Sequence, residues 1–169
     1  MANDSTIVAL ATPPGEGALA VIRVSGPDVP DLMGRALHRP IDRAVPRRAE
    51  LGSFHSVEGA ALDQLIWIYY EEGRSFSGEP MLELVPHGSP FIVQRIIEDL
   101  QARGCRLAEP GEFTRRAFLN GKIDLSQAEA IVDVIRARSE KALAVAQRQL
   151  SGVLGRQVNA MAARLLRTT

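Results

Sequence analysis

The sequence predicts an α+β fold, a mixed β-sheet with packed helices followed by a purely helical segment. Three observations predict it. Runs of strand length, apolar or β-branched, recur through the first part of the chain. Helical patterns stand between several of those runs. From Glu112 onward only helical periodicity remains.

Thr6 to Ala11 (TIVALA) is a short apolar run suited to a buried strand. Thr12-Pro13-Pro14-Gly15-Glu16-Gly17 breaks it, a loop stiffened by prolines and made permissive by glycines. Ala18 to Val24 is a second strand, apolar throughout except for Arg23. That arginine has two readings: it snorkels to the surface at a strand end, or it points into a cleft to receive a carboxylate or a polarised ring. Pro27, near the first helical position, predicts a helix from about Asp28 to Leu37. Arg39 to Arg48 carries two prolines and four arginines without periodicity. It reads as an exposed loop whose charge is a solvated face.

Ala49 to Ser56 and Leu62 to Glu71 read as strands joined by a turn at Glu58-Gly59, the second rich in aromatic and β-branched residues. A polar loop, Arg74 to Pro80, leads to a strand at Met81 to Val85. Glu83, flanked there by Leu82 and Leu84, points to the opposite face from both. It lies either on the wet face of the sheet or in a ligand cleft. Pro86 to Pro90 opens a helix that runs to about Arg103 and is closed by Gly104; Cys105 to Ala108 is a last short strand.

The stretch from Pro110 to Ile135 joins the two halves. Pro110-Gly111 is a turn, Glu112 to Leu119 a short helix with Phe113, Ala117 and Phe118 on one side, and Asn120-Gly121 its stop. The next helix is capped by Asp124 or Ser126, with Glu129 three residues after Ser126 in the spacing of a capping box. Ala128, Ile131, Val132 and Ile135 form its apolar face. On spacing alone Lys122 is a solvated loop lysine. From Ser139 one long helical pattern follows, with Leu143, Ala146, Leu150, Val153, Val158, Met161 and Leu165 spaced as in a bundle or coiled coil. Gly152 and Gly155 weaken it or admit a neighbouring helix. Its apolar face is expected to pair with a second chain or to fray.

Composition narrows the function classes. Lys plus Arg equals Asp plus Glu at 20 each, so bulk electrostatics do not favour nucleic acid as a ligand of this chain alone. Cys105 is the single cysteine, and His38, His55 and His87 are scattered; neither a disulfide framework nor a zinc cluster is expected. No apolar run approaches a membrane span, and the N-terminus lacks the pattern of a signal peptide, so a cytoplasmic protein without membrane contact is expected. No G-x-x-x-x-G-K-[ST] loop occurs in the 169 residues. Asn120-Gly121-Lys122-Ile123-Asp124 only superficially resembles a guanine-reading N-K-x-D.

Three separated blocks carry a family resemblance. They are Asp4 to Ala9 with Ala11 to Gly15 and Arg23 to Gly26; Ser75 to Glu79 with Leu82 to Leu84 and His87-Gly88; and Glu109 to Thr114 with Arg116 to Lys122 and Asp124 to Ala130. Together they resemble the MnmE (TrmE) family of tRNA-modification GTPases over nearly the whole chain. Ser89 departs from the pattern, standing where the family usually has a second glycine.

The resemblance implies an N-terminal domain over residues 1–121, related to the aminomethyltransferase fold, that binds tetrahydrofolate and dimerises. Residues 122–169 would be the first part of a truncated helical domain, with the GTPase domain and C-terminal tail absent. By the same match the folate contacts fall on Arg23, Glu83 and Lys122, and the ligand is 5-formyltetrahydrofolate or methylene-tetrahydrofolate. A carboxylate such as Glu83 suits the paired N–H and amino group of a pterin, and the anionic tail wants a cation such as Arg23 or Lys122. The full-length parent would also use GTP, magnesium and potassium, whose sites are not expected here. Expected partners are a second copy, the flavoprotein MnmG (GidA) and tRNA, whose wobble uridine the parent modifies. No catalysis is expected of these residues alone. The rival expectations are a stand-alone folate-dependent one-carbon transferase and a dimerising scaffold that does not bind folate.

Overall fold

The computed structural model describes residues 5–152. The chain divides between Phe113 and Thr114 into two compact units. The first contains β1 (Ile7–Leu10), β2 (Ile22–Ser25), α1 (Val29–Ala36), β3 (Ala49–His55), β4 (Ala61–Tyr70), β5 (Met81–Val85), α2 (Pro90–Ala102) and β6 (Arg106–Leu107). The strands make one sheet in the order β3-β4-β5-β2-β1-β6. Every pairing is antiparallel except β1 with β6, so the sheet is mixed and the fold α+β, as the sequence predicts.

Alternation decides which face is dry. Val8, Ile22, Val24, Leu65, Trp67, Leu82 and Leu84 turn to one side, where α1 brings Leu32 and Met33, and α2 brings Val93, Ile96 and Leu100. Both helices start with proline in the first turn, where the missing N–H costs nothing. A clamp of charge ties α2 to the far end of the sheet. Asp99 accepts from Arg103 Nε at 2.6 Å and from the backbone N–H of Val57 at 2.6 Å, and Arg103 Nη2 donates to the carbonyl of His55 at 2.8 Å. Cys105 lies against this core as a small buried side chain, and burial, with Asp28 adding, pushes its thiol up to about 11.

The second predicted strand is shorter than its apolar run. Only Ile22–Ser25 are in the ladder; Ala18 to Ala20 instead cross-bond to the Pro86–Gly88 segment, through Ala20 N–H to Pro86 O and Gly88 N–H to Ala18 O. That crossing requires glycine at Gly88, since a Cβ there would sit 2.5 Å from the carbonyl oxygen of Gly17. The next position makes no such demand. Ser89, at φ −80°, ψ 123°, is ordinary extended backbone, so a serine stands there without strain.

The second unit holds most of α3 (Glu112–Leu119), with α4 (Leu125–Arg136) and α5 (Glu140–Leu150). α3 ends in a Schellman turn: Gly121 is at φ 67°, its N–H reaches Phe118 O, and Lys122 N–H reaches Ala117 O. The capping box of α4 is Asp124 with Gln127, not Ser126 with Glu129. Gln127 N–H donates to Asp124 Oδ1 at 2.8 Å and Asp124 N–H to Gln127 Oε1 at 2.9 Å. Asp124 wins because its backbone is already extended, at ψ 173°, while Ser126 lies inside the helix. α4 and α5 form an antiparallel hairpin, fastened where Gln127 Nε2 donates to Leu150 O. The single long helix expected from Ser139 is also corrected: α5 stops at Leu150, and Gly152 is left-handed at φ 69°. Glycine ends the helix there because its backbone enters that region without a Cβ clash. Val153 to Leu165 lie outside the described residues.

Candidate functional site

The face of the sheet away from α1 and α2 carries the chemistry. Because Ile22, Val24, Leu82 and Leu84 face the core, Arg23 and Glu83 must face the other way. The β2–β5 register then sets them directly opposite one another. Arg23 Nε and Nη2 both donate to Glu83 Oε1, at 3.0 and 2.7 Å. The other oxygen, Oε2, accepts from the Tyr70 hydroxyl at 3.0 Å. The pair is largely enclosed, with side chains 27% and 15% exposed. Burial, then Glu83 by its hydrogen bond and charge, holds the Tyr70 hydroxyl above its ordinary value; Arg23 and Arg47 act the other way.

Two aromatic rings fix the guanidinium. Its carbon lies 5.4 Å from the centroid of Phe76 and 5.8 Å from that of Phe113, within the range of a cation–π contact. Phe76 is held in place by a buried serine network in the loop before β5. Ser77 and Ser25 share a hydrogen bond of 2.7 Å, and Ser25 Oγ donates to Glu79 Oε2 at 2.8 Å. Ser75 Oγ donates to the Glu79 carbonyl and accepts from Gly78 N–H. Small hydroxyls suit this place because each both donates and accepts, so a tight loop satisfies its own backbone while buried. Ile68, half-buried on β4, pairs with Glu83 across the sheet and supplies apolar floor beside the ion pair.

Two of the three predicted site residues thus meet in this structure. Of its two readings, Arg23 follows the one that receives a carboxylate and aromatic rings, but these groups are the chain's own Glu83, Phe76 and Phe113. Lys122 is an exposed residue of the second unit, where its backbone closes α3. Sequence reasoning missed Tyr70, Phe76 and Phe113. A signal existed for the first: Tyr69 and Tyr70 are adjacent on a strand, so one of them had to leave the core face.

Elsewhere in the first unit, a groove of about 700 Å³ opens between α2 and the Thr12–Gly17 loop, lined mainly by apolar residues including Leu10, Leu19, Val93 and Ile97. It lies on the helical side of the sheet and holds none of the paired charges, so the Arg23–Glu83 face is the better candidate for polar recognition. Among the described residues no group of three or more His, Cys, Asp and Glu is placed to hold a metal. His38 and His55 stack at 4.1 Å, ring on ring, a geometry that directs their nitrogens sideways and not toward a common ion. No described helix is long and apolar enough to cross a membrane.

These features define an α+β domain with an ion pair and aromatic flanks on the sheet face away from α1 and α2, followed in the chain by a helical unit. The chain belongs to the family described as the N-terminus of the GTP-binding protein TrmE, whose model matches residues 6–122. It is similar to proteins named tRNA modification GTPase MnmE. The one from Opitutus terrae is 49% identical over 164 residues, which is 97% of this chain and 36% of the relative. Those from Alkalilimnicola ehrlichii, 49% identical, and Aquifex aeolicus, 45% identical, are covered to the same extent, 96% and 95% of this chain and 36% of each relative. The chain therefore spans about a third of the length of these curated relatives.

Proposed function

We propose that this chain is the folate-binding part of a tRNA-modifying GTPase, and that its folate, 5-formyltetrahydrofolate or methylene-tetrahydrofolate, is bound through Arg23 and Glu83, with Lys122 as a third contact. The observation that carries the reading is the Glu83 carboxylate, paired with a cross-strand arginine and set beside aromatic and apolar surface. Such a donor set fits a pterin: the carboxylate takes a ring N–H and its neighbouring amino group, and the flat ring covers apolar floor. Bound there, the folate would supply a one-carbon unit; this chain's own residues would bind and orient it.

Occupancy of the carboxylate refines the reading. Arg23 fills two of its roughly four acceptor directions and Tyr70 a third. A ligand that donates two hydrogen bonds must displace one of these donors. Arg23 is held between two rings, so the Tyr70 hydroxyl is the group that yields.

In the whole protein, the same proposal places wobble-uridine modification with GTP, magnesium and potassium bound outside these residues. A second copy completes the folate site through this domain, and MnmG and tRNA act as partners, in the cytoplasm. Calorimetric titration of the chain with 5-formyltetrahydrofolate tests the local claim. Saturable binding should be lost in Glu83→Ala and kept, at equal or higher affinity, in Tyr70→Phe. Unchanged binding in a folded Glu83→Ala would move the ligand off this face. A tenfold loss in Tyr70→Phe would mean that the hydroxyl touches the ligand instead of yielding to it.

A further inference from the structure

Of the two cations that sequence reasoning offered for the anionic end of the ligand, Arg23 and Lys122, the first is already engaged. Arg23 gives two hydrogen bonds to Glu83 and lies against two aromatic rings. Turning it toward a tail carboxylate would strip an enclosed glutamate of its cation, a greater loss than an exposed ion pair returns. Another guanidinium belongs to a residue held at the end of β4, beside Tyr69 and Tyr70. Arg47 lies in the turn just before β3, two residues ahead of Ala49, the first residue of the ladder with β4. Its N–H donates to the carbonyl of Tyr69 at 2.7 Å, which fixes the approach of this turn to the end of β4. Arg47 is exposed and forms no ion pair among the described residues. Its charge is nonetheless felt at the Tyr70 hydroxyl, the group bonded to Glu83.

Its backbone is the second observation. Arg47 has φ 61°, in the left-handed region that glycine or asparagine enters readily and that costs other residues on the order of 1 kcal/mol. The turn alone would be better served by either of those. An arginine held there points to use of the side chain.

We propose that Arg47 receives the glutamyl carboxylates of the folate tail, so that this site prefers polyglutamylated folates to the monoglutamate. The proposal rests on the folate reading of the Glu83 face. Each γ-linked glutamate adds one carboxylate, and an exposed guanidinium at the rim gains from each that comes within reach. Ring recognition at Glu83 and tail recognition at Arg47 are then separate contributions.

The experiment is a matrix of affinities for this chain. The ligands are 5-formyltetrahydropteroate, which has no glutamate, 5-formyltetrahydrofolate, and its triglutamate. The proteins are the unmodified chain, Arg47→Asn, Arg47→Lys, Lys122→Ala and Glu83→Ala. Asparagine is chosen because it tolerates the left-handed backbone, so the variant keeps its fold while losing the charge. The unmodified chain should bind the triglutamate about threefold to tenfold more tightly than the monoglutamate at low salt, the worth of one or two exposed ion pairs. Arg47→Asn should bring that ratio close to one and leave the pteroate affinity unchanged, and Arg47→Lys should retain most of it.

A ratio that survives in Arg47→Asn overturns the proposal, as does an equal loss for all three ligands. So does a ratio lost only in Lys122→Ala, which would make that lysine the tail cation. If Arg47→Asn leaves every folate unaffected and instead weakens binding of a tRNA transcript, the arginine serves RNA and the proposal fails. Glu83→Ala separates the two levels: its indifference to all three ligands would sink the folate reading itself.

Discussion

The Arg23–Glu83 pair can be tested for what it does to stability apart from any ligand. The perturbation is a double-mutant cycle of Arg23→Met, Glu83→Leu and the two together, each replacement keeping roughly the volume and apolar stem. Breaking a fully buried pair costs about 3–5 kcal/mol, but side chains 27% and 15% exposed recover part of that from water, leaving about 1–3 kcal/mol for each single change. The two singles should not be equal. Glu83→Leu leaves the guanidinium between Phe76 and Phe113, whose faces return about 0.5–1 kcal/mol to a cation. Arg23→Met leaves a largely enclosed carboxylate with the Tyr70 hydroxyl as its remaining donor among the described residues, so it should be the more damaging. The double variant replaces both charges by apolar groups on a face that already holds Ile68, and should lie above the sum of the singles by about 1–2 kcal/mol. Trp67, the single tryptophan and 2% exposed, reports unfolding in urea by its fluorescence. Additivity within about 0.3–0.5 kcal/mol would refute the reasoning, because it would mean that the two groups are not coupled despite a 2.7 Å contact.

Gly88→Ala should destabilise the chain by about 2 kcal/mol or more, since a Cβ 2.5 Å from Gly17 O meets backbone that cannot swing aside, whereas Ser89→Gly should cost under about 1 kcal/mol; urea midpoints that rank the two the other way would reject the crossing as the constraint. For Cys105 the folded thiol is raised from 9.0 to about 11, so between those values the unfolded chain has released a proton that the folded chain keeps. Stability should then fall as pH rises through that window, by up to about 1.4 kcal/mol per pH unit, and be unaffected by this group below it. Comparing urea unfolding of the unmodified chain with Cys105→Ala at pH 8 and pH 10 isolates the effect, and identical slopes would count against it.

Much of the architecture was legible because the pattern that makes a strand also says which way its side chains point. Glu83 between two leucines, and Arg23 among aliphatics, announced residues turned from the core before any partner was known. What the sequence could not announce was their pairing, which depends on the register of β2 against β5, sixty residues apart in the chain. The same holds for Phe76: the apolar ring in a polar loop is visible, but its position over Arg23 follows from serines that bond across to β2. The capping box was misread for a different reason. Asp124 and Ser126 both have side chains able to cap, and only backbone geometry decides between two such neighbours. The long helix was overextended because periodicity carries through Gly152 without interruption; apolar spacing does not record where a backbone turns left-handed.

Charge balance ties the fold to the manner of recognition. The chain has 20 basic and 20 acidic residues, and the candidate face repeats that neutrality at short range, one guanidinium against one carboxylate. Such a face does not attract an anion from a distance. It offers Glu83 to hydrogen-bond donors and apolar surface to a ring, interactions that salt screens weakly because they are short and largely enclosed. Arg47 differs on both counts, being exposed and without an ion-pair partner among the described residues. The two parts of the proposed ligand should therefore respond differently to ionic strength. Affinity for the pteroate should change little on raising salt to about 0.5 M, where screening acts within a few ångströms, while the advantage of the triglutamate over the monoglutamate should shrink. If both parts weakened together, ring and tail would share one electrostatic field. The separation of an inner neutral pair from an outer cation, on which the reading of Arg47 depends, would then be wrong.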